Sequence, residues 1–199
     1  MQAVLAIPGL EAFRKVGDAA DVLMRDVWGV PLLVRVLATA ARAGVDSVLV
    51  IWPQDVNPAI LEACTRSSEL KDVSSRVERL VGVERLVWKD EWTNTFDPHS
   101  AADWESISPR LEDVFLWLPW NWITHTRALT ELSTLRALPP KWFRPVMLEK
   151  GAVLQHSTFL ISFGHQPQGV SVTSPSDIQE AVHFLAGNAG EPEGFQKAA

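Results

Sequence analysis

The feature that most constrains this fold is a strand–helix–strand pattern in the first fifty residues. Residues 2–7 form a short apolar run that ends at Pro8, which is typical of a buried strand followed by a turn. Pro31 opens a stretch with apolar side chains at helical spacing, and Gly44 marks its end. Residues 45–52 are again apolar and β-branched. This order predicts two parallel strands joined by a right-handed helical crossover.

The alternation of strands and helices continues along the chain. Residues 10–28 are predicted to be a surface loop with some helix, and residues 90–110 a long loop or insertion, because they show little periodicity. The other predicted elements are a helix over 57–67, a strand around 81–87, a strand over 113–118, a helix over 124–138, strands within 152–163 and over 169–173, and a final helix from Pro175 to Gly187. The sequence therefore predicts an α/β, Rossmann-like fold with a mostly parallel sheet and helices on both faces. We expect one domain over residues 1–187 and a tail over 188–199.

Composition narrows the class of protein. The chain has 199 residues, of which 47% are hydrophobic and 21% charged, as in an ordinary globular domain. The net charge of −6 disfavours a nucleic-acid partner, because phosphates need a basic surface. Cys64 is the single cysteine and lies in an apolar helical pattern, so we expect it to be buried. The sequence shows no signal-peptide pattern and no apolar run of ~20 residues, which predicts a cytoplasmic location.

The strand ends are the places where function is expected, because ligands in open α/β sheets bind beyond the carboxyl ends of the strands. The first such loop contains one glycine and then two basic residues, Arg14 and Lys15. It matches neither the Walker pattern nor the dinucleotide fingerprint. Arg14 and Lys15 are the candidate catalytic residues that would clamp phosphates, and the alternative is a solvated charge pair. The candidate nucleotide-binding residues at the strand ends are Ile7, Pro8, Gly9 and Pro53.

The third strand end carries Asn121. A metal-assisted phosphoryl transferase would need a carboxylate here, because Mg²⁺ prefers anionic oxygens, and an amide is a weaker ligand. The five histidines have no paired spacing of the kind that binds zinc. The sequence also lacks a G-x-S-x-G elbow, so an α/β-hydrolase has no nucleophile.

Nine tryptophans stand beside no tyrosine, and three of them are close together: Trp117, Trp120 and Trp122. Such rings stack on a base or a sugar, or they fill a core or a partner interface. Both readings stay open at this point.

Two segments resemble the sugar-phosphate and polyol-phosphate nucleotidyltransferases. Residues 28–37 (WGVPLLVRVL) with 43–50 (AGVDSVLV) are similar to that family's G-(K/R)-P-L-L-x-R-x-L and A-G-V-x-x-I-x-V stretches. Residues 115–121 (FLWLPWN) are similar to its strand and L-P-x-D metal site. Residues 174–195 resemble the joint at which a cytidylyltransferase leads into a membrane CDP-alcohol phosphatidyltransferase, which implies such a fused or partner protein.

The resemblance implies Mg²⁺-dependent transfer of a nucleotidyl group, from CTP, onto a phosphorylated polyol or sugar, and it is compatible with a homo-oligomer. The chain departs from the family at three positions: the first loop has Arg14 and Lys15 displaced from its glycine, Val30 replaces a basic residue, and Asn121 replaces the metal-binding aspartate. The alternative function is therefore a non-catalytic scaffold, interaction or regulatory domain, acting through its Trp-rich surface.

Overall fold

Nine strands and eight helices make up the described part of this computed structural model, which covers residues 1–68, 70, 82–88, 96–132, 145–154 and 169–187. The strands are β1 (Gln2–Ala6), β2 (Asp26–Val27), β3 (Val30–Pro31), β4 (Ser47–Pro53), β5 (Gly82–Trp88), β6 (Val114–Trp117), β7 (Trp122–Thr124), β8 (Val146–Glu149) and β9 (Gly169–Ser171). The helices are α1 (Leu10–Phe13), α2 (Ala19–Leu23), α3 (Leu32–Arg42), α4 (Ala59–Thr65), α5 (Ala101–Ile107), α6 (Thr126–Leu132), α7 (Lys150–Leu154) and α8 (Pro175–Gly187).

The central sheet has five strands in the order β5-β4-β1-β6-β8. β1 pairs in parallel with β4 and with β6, and β4 pairs in parallel with β5. β8 lies at the edge and runs antiparallel to β6. The predicted parallel pairing of these two strands, with a helix between them, is confirmed, since Gln2 of β1 aligns with Ser47 of β4 and α3 lies between them in the chain.

Two small antiparallel sheets accompany the central one: the β2–β3 hairpin and the β7–β9 pair.

The core lies on both faces of the central sheet, as the strand period of two requires. On β1, Ala3 and Leu5 belong to the larger cluster of buried side chains, which includes α3, whereas Val4 belongs to the smaller cluster. That smaller cluster contains Trp104 of α5 and Val153 of α7. Helices therefore cover both faces, and the predicted α/β class with a mostly parallel sheet is confirmed.

The helix ends follow the predicted signals. Pro31 is the N-cap of α3, and Gly44 follows the helix at φ +92°, a conformation that L side chains rarely adopt. Asn57 Oδ1 accepts a hydrogen bond from the Ala59 N–H at the start of α4 (3.0 Å). In the final helix, α8, Ala181 and Leu185 are the buried positions.

The predicted loop over 90–110 is wrong for its described part. Residues 101–107 form α5, a 3₁₀ turn follows over 108–110, and Trp104 is buried. The Ser100 hydroxyl oxygen accepts a hydrogen bond from the Asp103 N–H (3.3 Å), which is an ordinary N-cap. The helix was missed because seven residues with two buried positions give too short a period to recognise.

Strand β8 and helix α7 were also not predicted from the sequence, whereas the strand over 169–173 is confirmed as β9. Three predictions lie outside the described residues: the strand at 159–163, the end of the helix over 133–138, and the tail over 188–199. Within the described part of the chain, no helix has both the length and the apolar character needed to cross a bilayer.

Candidate functional site

The strand order reverses at β1, which places the candidate site at the carboxyl ends of the central strands. From β1 the chain moves to β4 and β5 on one side and later returns to β6 on the other. The Ile7 N–H donates to the Ile51 carbonyl beside the end of β4, and the Leu118 N–H donates to the Val4 carbonyl from the end of β6 (both 2.9 Å). The three strand ends singled out in the sequence therefore meet at one edge, where open α/β sheets bind ligands. We call this the ligand edge.

The first loop is tied to the end of β4 through a carboxylate. Gly9 caps the short helix α1, and the next N–H, of Leu10, donates to Asp55 Oδ2 (2.9 Å). Sequence reasoning singled out residues 52–57 as a strand end but did not single out Asp55. This hydrogen bond connects the start of α1 in the first loop to the loop that follows β4.

The predicted nucleotide-binding residues have different placements. Ile7 is buried and Gly9 is buried, Pro8 is half-buried, and Pro53 is buried at the end of β4. The Ile7 N–H is already used by the Ile51 carbonyl, so Ile7 supports the loop from below. The Gly9 carbonyl accepts from the Ala12 N–H (3.0 Å), as expected at the start of a helix.

The two candidate phosphate clamps lie on the surface of the loop. Arg14 forms an ion pair with the carboxylate of Glu11, and both side chains are more than two-thirds exposed. Lys15 is also exposed. An exposed pair of this kind stabilises the fold little, so Arg14 can exchange Glu11 for a ligand phosphate at small cost.

Asn121, the candidate metal ligand, is 8% exposed, and its amide is used within the protein. Its side-chain Nδ2 donates to the Ser171 hydroxyl, and its backbone carbonyl accepts from the Val172 N–H (both 2.9 Å). Among the described residues, no group of three or more His, Cys, Asp or Glu side chains is placed to share a metal ion. Because Mg²⁺ prefers several anionic oxygens, the residues present at this position do not fit it.

The Trp-rich patch is mostly core. Trp117 and Trp122 are buried, and Trp120 is partly buried against the larger cluster, with its ring at 5.5 Å from the Phe13 ring in an edge contact. The exposure of Trp122 expected of an interaction module is therefore wrong, because the ring lies under Gly169 of β9.

One basic residue that the sequence analysis did not single out joins the parts of the ligand edge. Arg25, just before β2, donates to the Val16 carbonyl at the end of the first loop (3.4 Å) and to the Thr173 carbonyl after β9 (3.1 Å). These bonds connect the start of the β2–β3 hairpin to the end of the first loop. Nothing in the spacing of charges marks Arg25, since its two acceptors are backbone carbonyls far apart in the sequence.

No protein-family model matches this sequence, and no curated protein matches it. Solved structures do match. HddC from Yersinia pseudotuberculosis is 10% identical, with a TM-score of 0.56 over 92% of this chain and 99% of that one. UDP-glucose pyrophosphorylase from Acinetobacter baumannii is 12% identical, with a TM-score of 0.56 over 97% of this chain and 95% of that one. A glucose-1-phosphate thymidylyltransferase, assigned as such only provisionally, from Bacillus anthracis is 8% identical, with a TM-score of 0.56 over 98% of both chains.

At these identities the likeness establishes the fold: a mixed α/β domain of the kind found in nucleotide-diphospho-sugar transferases. HddC was solved with GMP-PN, and the Acinetobacter enzyme was solved with UTP. The fold that the sequence resemblance implies and the fold of these solved structures are thus the same.

Proposed function

We propose that this chain binds a nucleoside triphosphate at the ligand edge and transfers its nucleotidyl group to a phosphorylated sugar or polyol. The observation that supports this most is the likeness to nucleotidyltransferase structures over nearly the whole chain, with the first loop placed at the switch point of the sheet. CTP is the first nucleotide to test, because the sequence resembles cytidylyltransferases.

The chemistry requires positioning and charge. An oxygen of the acceptor phosphate attacks the α-phosphorus of the triphosphate, the bond to the β-phosphate breaks, and pyrophosphate leaves. Arg14 and Lys15 would bind the triphosphate, hold it in line for attack and offset the charge on the leaving group. The position of Asn121 does not fit Mg²⁺, because an amide that donates to Ser171 stands where the family has a carboxylate.

A second candidate function is a non-catalytic domain that keeps the scaffold and binds a nucleotide or a partner. The observation that favours it is the neutral amide of Asn121, whose Nδ2 donates to Ser171 of β9, at the position where the family has a metal-binding carboxylate. The partner that the sequence implies is a membrane CDP-alcohol phosphatidyltransferase, which such a domain would regulate.

Calorimetric titration with CTP, ATP, GTP and UTP, each with and without Mg²⁺, tests binding. Arg14→Ala is expected to weaken the binding of the preferred nucleotide by about tenfold or more, since it removes a charge-assisted contact to phosphate. Arg66→Ala is the matched control, because Arg66 forms a similarly exposed pair with Glu62 on α4. Nucleotide binding should not change in that control.

Pyrophosphate release with a panel of sugar and polyol phosphates separates the two functions. Release that depends on both the nucleotide and one acceptor supports transfer. Tight nucleotide binding without release under any of these conditions favours the non-catalytic domain. A folded protein that gives no heat with any nucleotide contradicts the proposed function.

A further inference from the structure

Trp28 is an exposed aromatic residue in a backbone conformation that does not suit it. Its side chain is 53% exposed, and its φ of +52° makes it the one residue other than glycine with positive φ among the described ranges. Residues with bulky side chains rarely adopt this left-handed backbone conformation, because it is higher in free energy than the extended or right-handed helical conformations.

The strain follows from the turn in which Trp28 lies. Val27 pairs with Val30, so Trp28 and Gly29 form a two-residue hairpin loop, and their φ values of +52° and +78° are those of a type I′ turn. Asn-Gly or Asp-Gly is the preferred sequence for this turn. Tryptophan at this position strains the backbone and exposes an apolar ring to solvent, and the geometry of the turn does not explain its presence. Backbone strain of this kind concentrates at binding sites.

Three hydrogen bonds hold the backbone of the hairpin in place. The Gly29 N–H donates to Asp26 Oδ1 (3.0 Å), while the Arg35 guanidinium donates from Nε to the Val27 carbonyl (3.0 Å) and from Nη2 to the Trp28 carbonyl (3.1 Å). Burial and the nearby Arg42 lower the pKa of Arg35, partly offset by Asp26. Arginine remains charged in proteins, so the two guanidinium contacts persist at neutral pH. A hairpin backbone that is already ordered loses little entropy when a ligand binds to it.

The hairpin also lies at the ligand edge of the sheet. It leads directly into α3, which runs back along the sheet towards the start of β4, so the beginning of α3 lies beyond the carboxyl end of β1. Arg25 joins the base of the hairpin to the end of the first loop, which carries Arg14 and Lys15. An aromatic face and two phosphate-binding cations thus lie on adjoining segments, as a nucleotide requires.

We propose that Trp28 stacks on the base of a nucleotide bound at the ligand edge. This rests on the proposed function and goes beyond it by assigning the base-recognition residue. A stack on the ring face tolerates every base, so Trp28 contributes affinity, and choice among bases comes from other contacts. A protein partner is a weaker occupant for this ring, because Trp28 is flanked by exposed Gly29 and by Asp26 rather than by a continuous apolar patch.

The test compares Trp28→Asn and Trp28→Phe with the unmodified chain, using calorimetry with the preferred nucleotide and with inorganic tripolyphosphate. Trp28→Asn creates the preferred Asn-Gly turn, so this variant should fold and unfold at the same or a higher urea concentration. It should bind the nucleotide about 5-fold to 100-fold more weakly, the loss expected from removing one stack, and tripolyphosphate unchanged. Trp28→Phe should keep most of the nucleotide affinity.

Other outcomes separate the two proposals. If the unmodified chain binds the nucleotide and Trp28→Asn binds it equally well, the role of Trp28 is wrong and the proposed function stands. If Trp28→Asn weakens tripolyphosphate as much as the nucleotide, or lowers the stability of the fold, Trp28 is structural and the stack is again wrong. If the folded chain binds neither probe, the proposed function fails, and the stack fails with it.

Discussion

Gly169 occupies a position where a side chain has no room. A Cβ placed there would lie 2.5 Å from the Ile123 carbonyl oxygen and 2.5 Å from Trp122 Nε1. Both neighbours are held in place, because Ile123 pairs with Val170 and Trp122 is buried. Gly169→Ala should therefore lower the free energy of unfolding by about 1–3 kcal/mol, as overpacking does. Urea denaturation measures this loss.

Gly151→Ala is the matched control for that substitution. Gly151 lies in helix α7, and a Cβ there meets nothing within 4 Å. Alanine should raise the stability by about 0.5–1 kcal/mol, since a helical glycine is unfavourable relative to alanine. Equal effects of the two substitutions would contradict the close packing of β9 on Trp122.

The Cys64 thiol should be unreactive in the folded protein. Cys64 is fully buried, its Sγ lies 3.2 Å from Met24 Sδ, and burial raises the pKa of the thiol from 9.0 to about 12. Because the thiolate is the reactive form, a disulfide reagent at pH 8 should label the protein in urea and leave the native protein unlabelled. Rapid labelling without denaturant would show that Cys64 is accessible. The burial itself was predicted from the apolar helical pattern around the residue.

The same shift gives a pH dependence of stability. Between pH 9 and 12 the unfolded chain releases the thiol proton while the native chain keeps it, so the native state binds more protons and loses stability as the pH rises. Urea midpoints of the native chain should fall over this window, and the fall should be smaller for Cys64→Ala. Identical slopes for the two proteins would contradict the role of the thiol.

Individual residues at the candidate site show how far sequence reasoning reaches. The position of Asn121 at the end of β6 follows from the strand pattern, whereas its hydrogen bond to Ser171 joins residues fifty apart in the chain and has no local signal. Gly29, two residues before Pro31, is a local signal for a turn at Trp28, but the positive φ of Trp28 is found only from the structure.

At the scale of elements, helix α8 depends on a carboxylate at its start. Asp177 Oδ2 accepts hydrogen bonds from the N–H groups of Thr173 (2.8 Å) and Ser174 (2.7 Å) and from the Thr173 hydroxyl (3.0 Å). Burial raises the pKa of Asp177, but these donors outweigh it and hold the pKa below its usual value. Asp177→Asn keeps an acceptor oxygen but removes the charge, and it should cost about 0.5–1 kcal/mol at pH 7, the worth of a negative charge at a helix N-terminus.

The pH dependence of that loss identifies its cause. A carboxyl group whose pKa is lower in the folded state than in the unfolded chain stabilises the fold at pH values above its unfolded pKa of about 4. This stabilisation is lost as the pH falls through the pKa of the folded state. The unmodified chain and Asp177→Asn should therefore differ in urea midpoint at pH 7 and converge towards pH 2.5. Glu180→Gln, at an exposed position on the same helix, is the control and should match the unmodified chain at both pH values.

Elements were predictable where their signals are local. α3 and α8 were found because proline and glycine mark their ends and their apolar faces extend over several turns. α5 was missed although Ser100 and Asp103 make a capping pair, since its seven residues bury only two side chains. One of them, Trp104, packs against the rings of Phe96 and Trp117. Contacts of that kind form between distant segments and leave no period in the sequence.

At the scale of the whole molecule, parallel strands and helices on both faces were predictable, whereas the order of strands was not. The buried runs of β1, β4 and β6 imply a parallel sheet. That β6 returns to the opposite side of β1 from β4 depends on pairing between strands more than a hundred residues apart. The antiparallel edge strand β8, which pairs with β6, was not found from the sequence at all. The switch point, and with it the location of the ligand edge, therefore comes from the structure.

Hydrogen exchange can test the ligand edge without assuming any reaction. A bound nucleotide should slow exchange of the Leu10 N–H, which donates to Asp55 in the first loop, and of the Gly29 N–H, which donates to Asp26 in the hairpin. Both hydrogen bonds are exposed, so in the free protein they open locally at low cost, and a ligand on these segments must raise that cost.

The Lys150 N–H, which donates to the Asp113 carbonyl, is the internal reference. Asp113 precedes β6 and therefore lies at the opposite end of that strand. Slowing at Leu10 and Gly29 with no change at Lys150 would locate the nucleotide at the carboxyl ends of the strands. Slowing at Lys150 alone would locate the nucleotide at the opposite end of the strands and contradict the ligand edge. That outcome is not expected, because the carboxylates of Asp113 and Glu149 lie there and would repel phosphate.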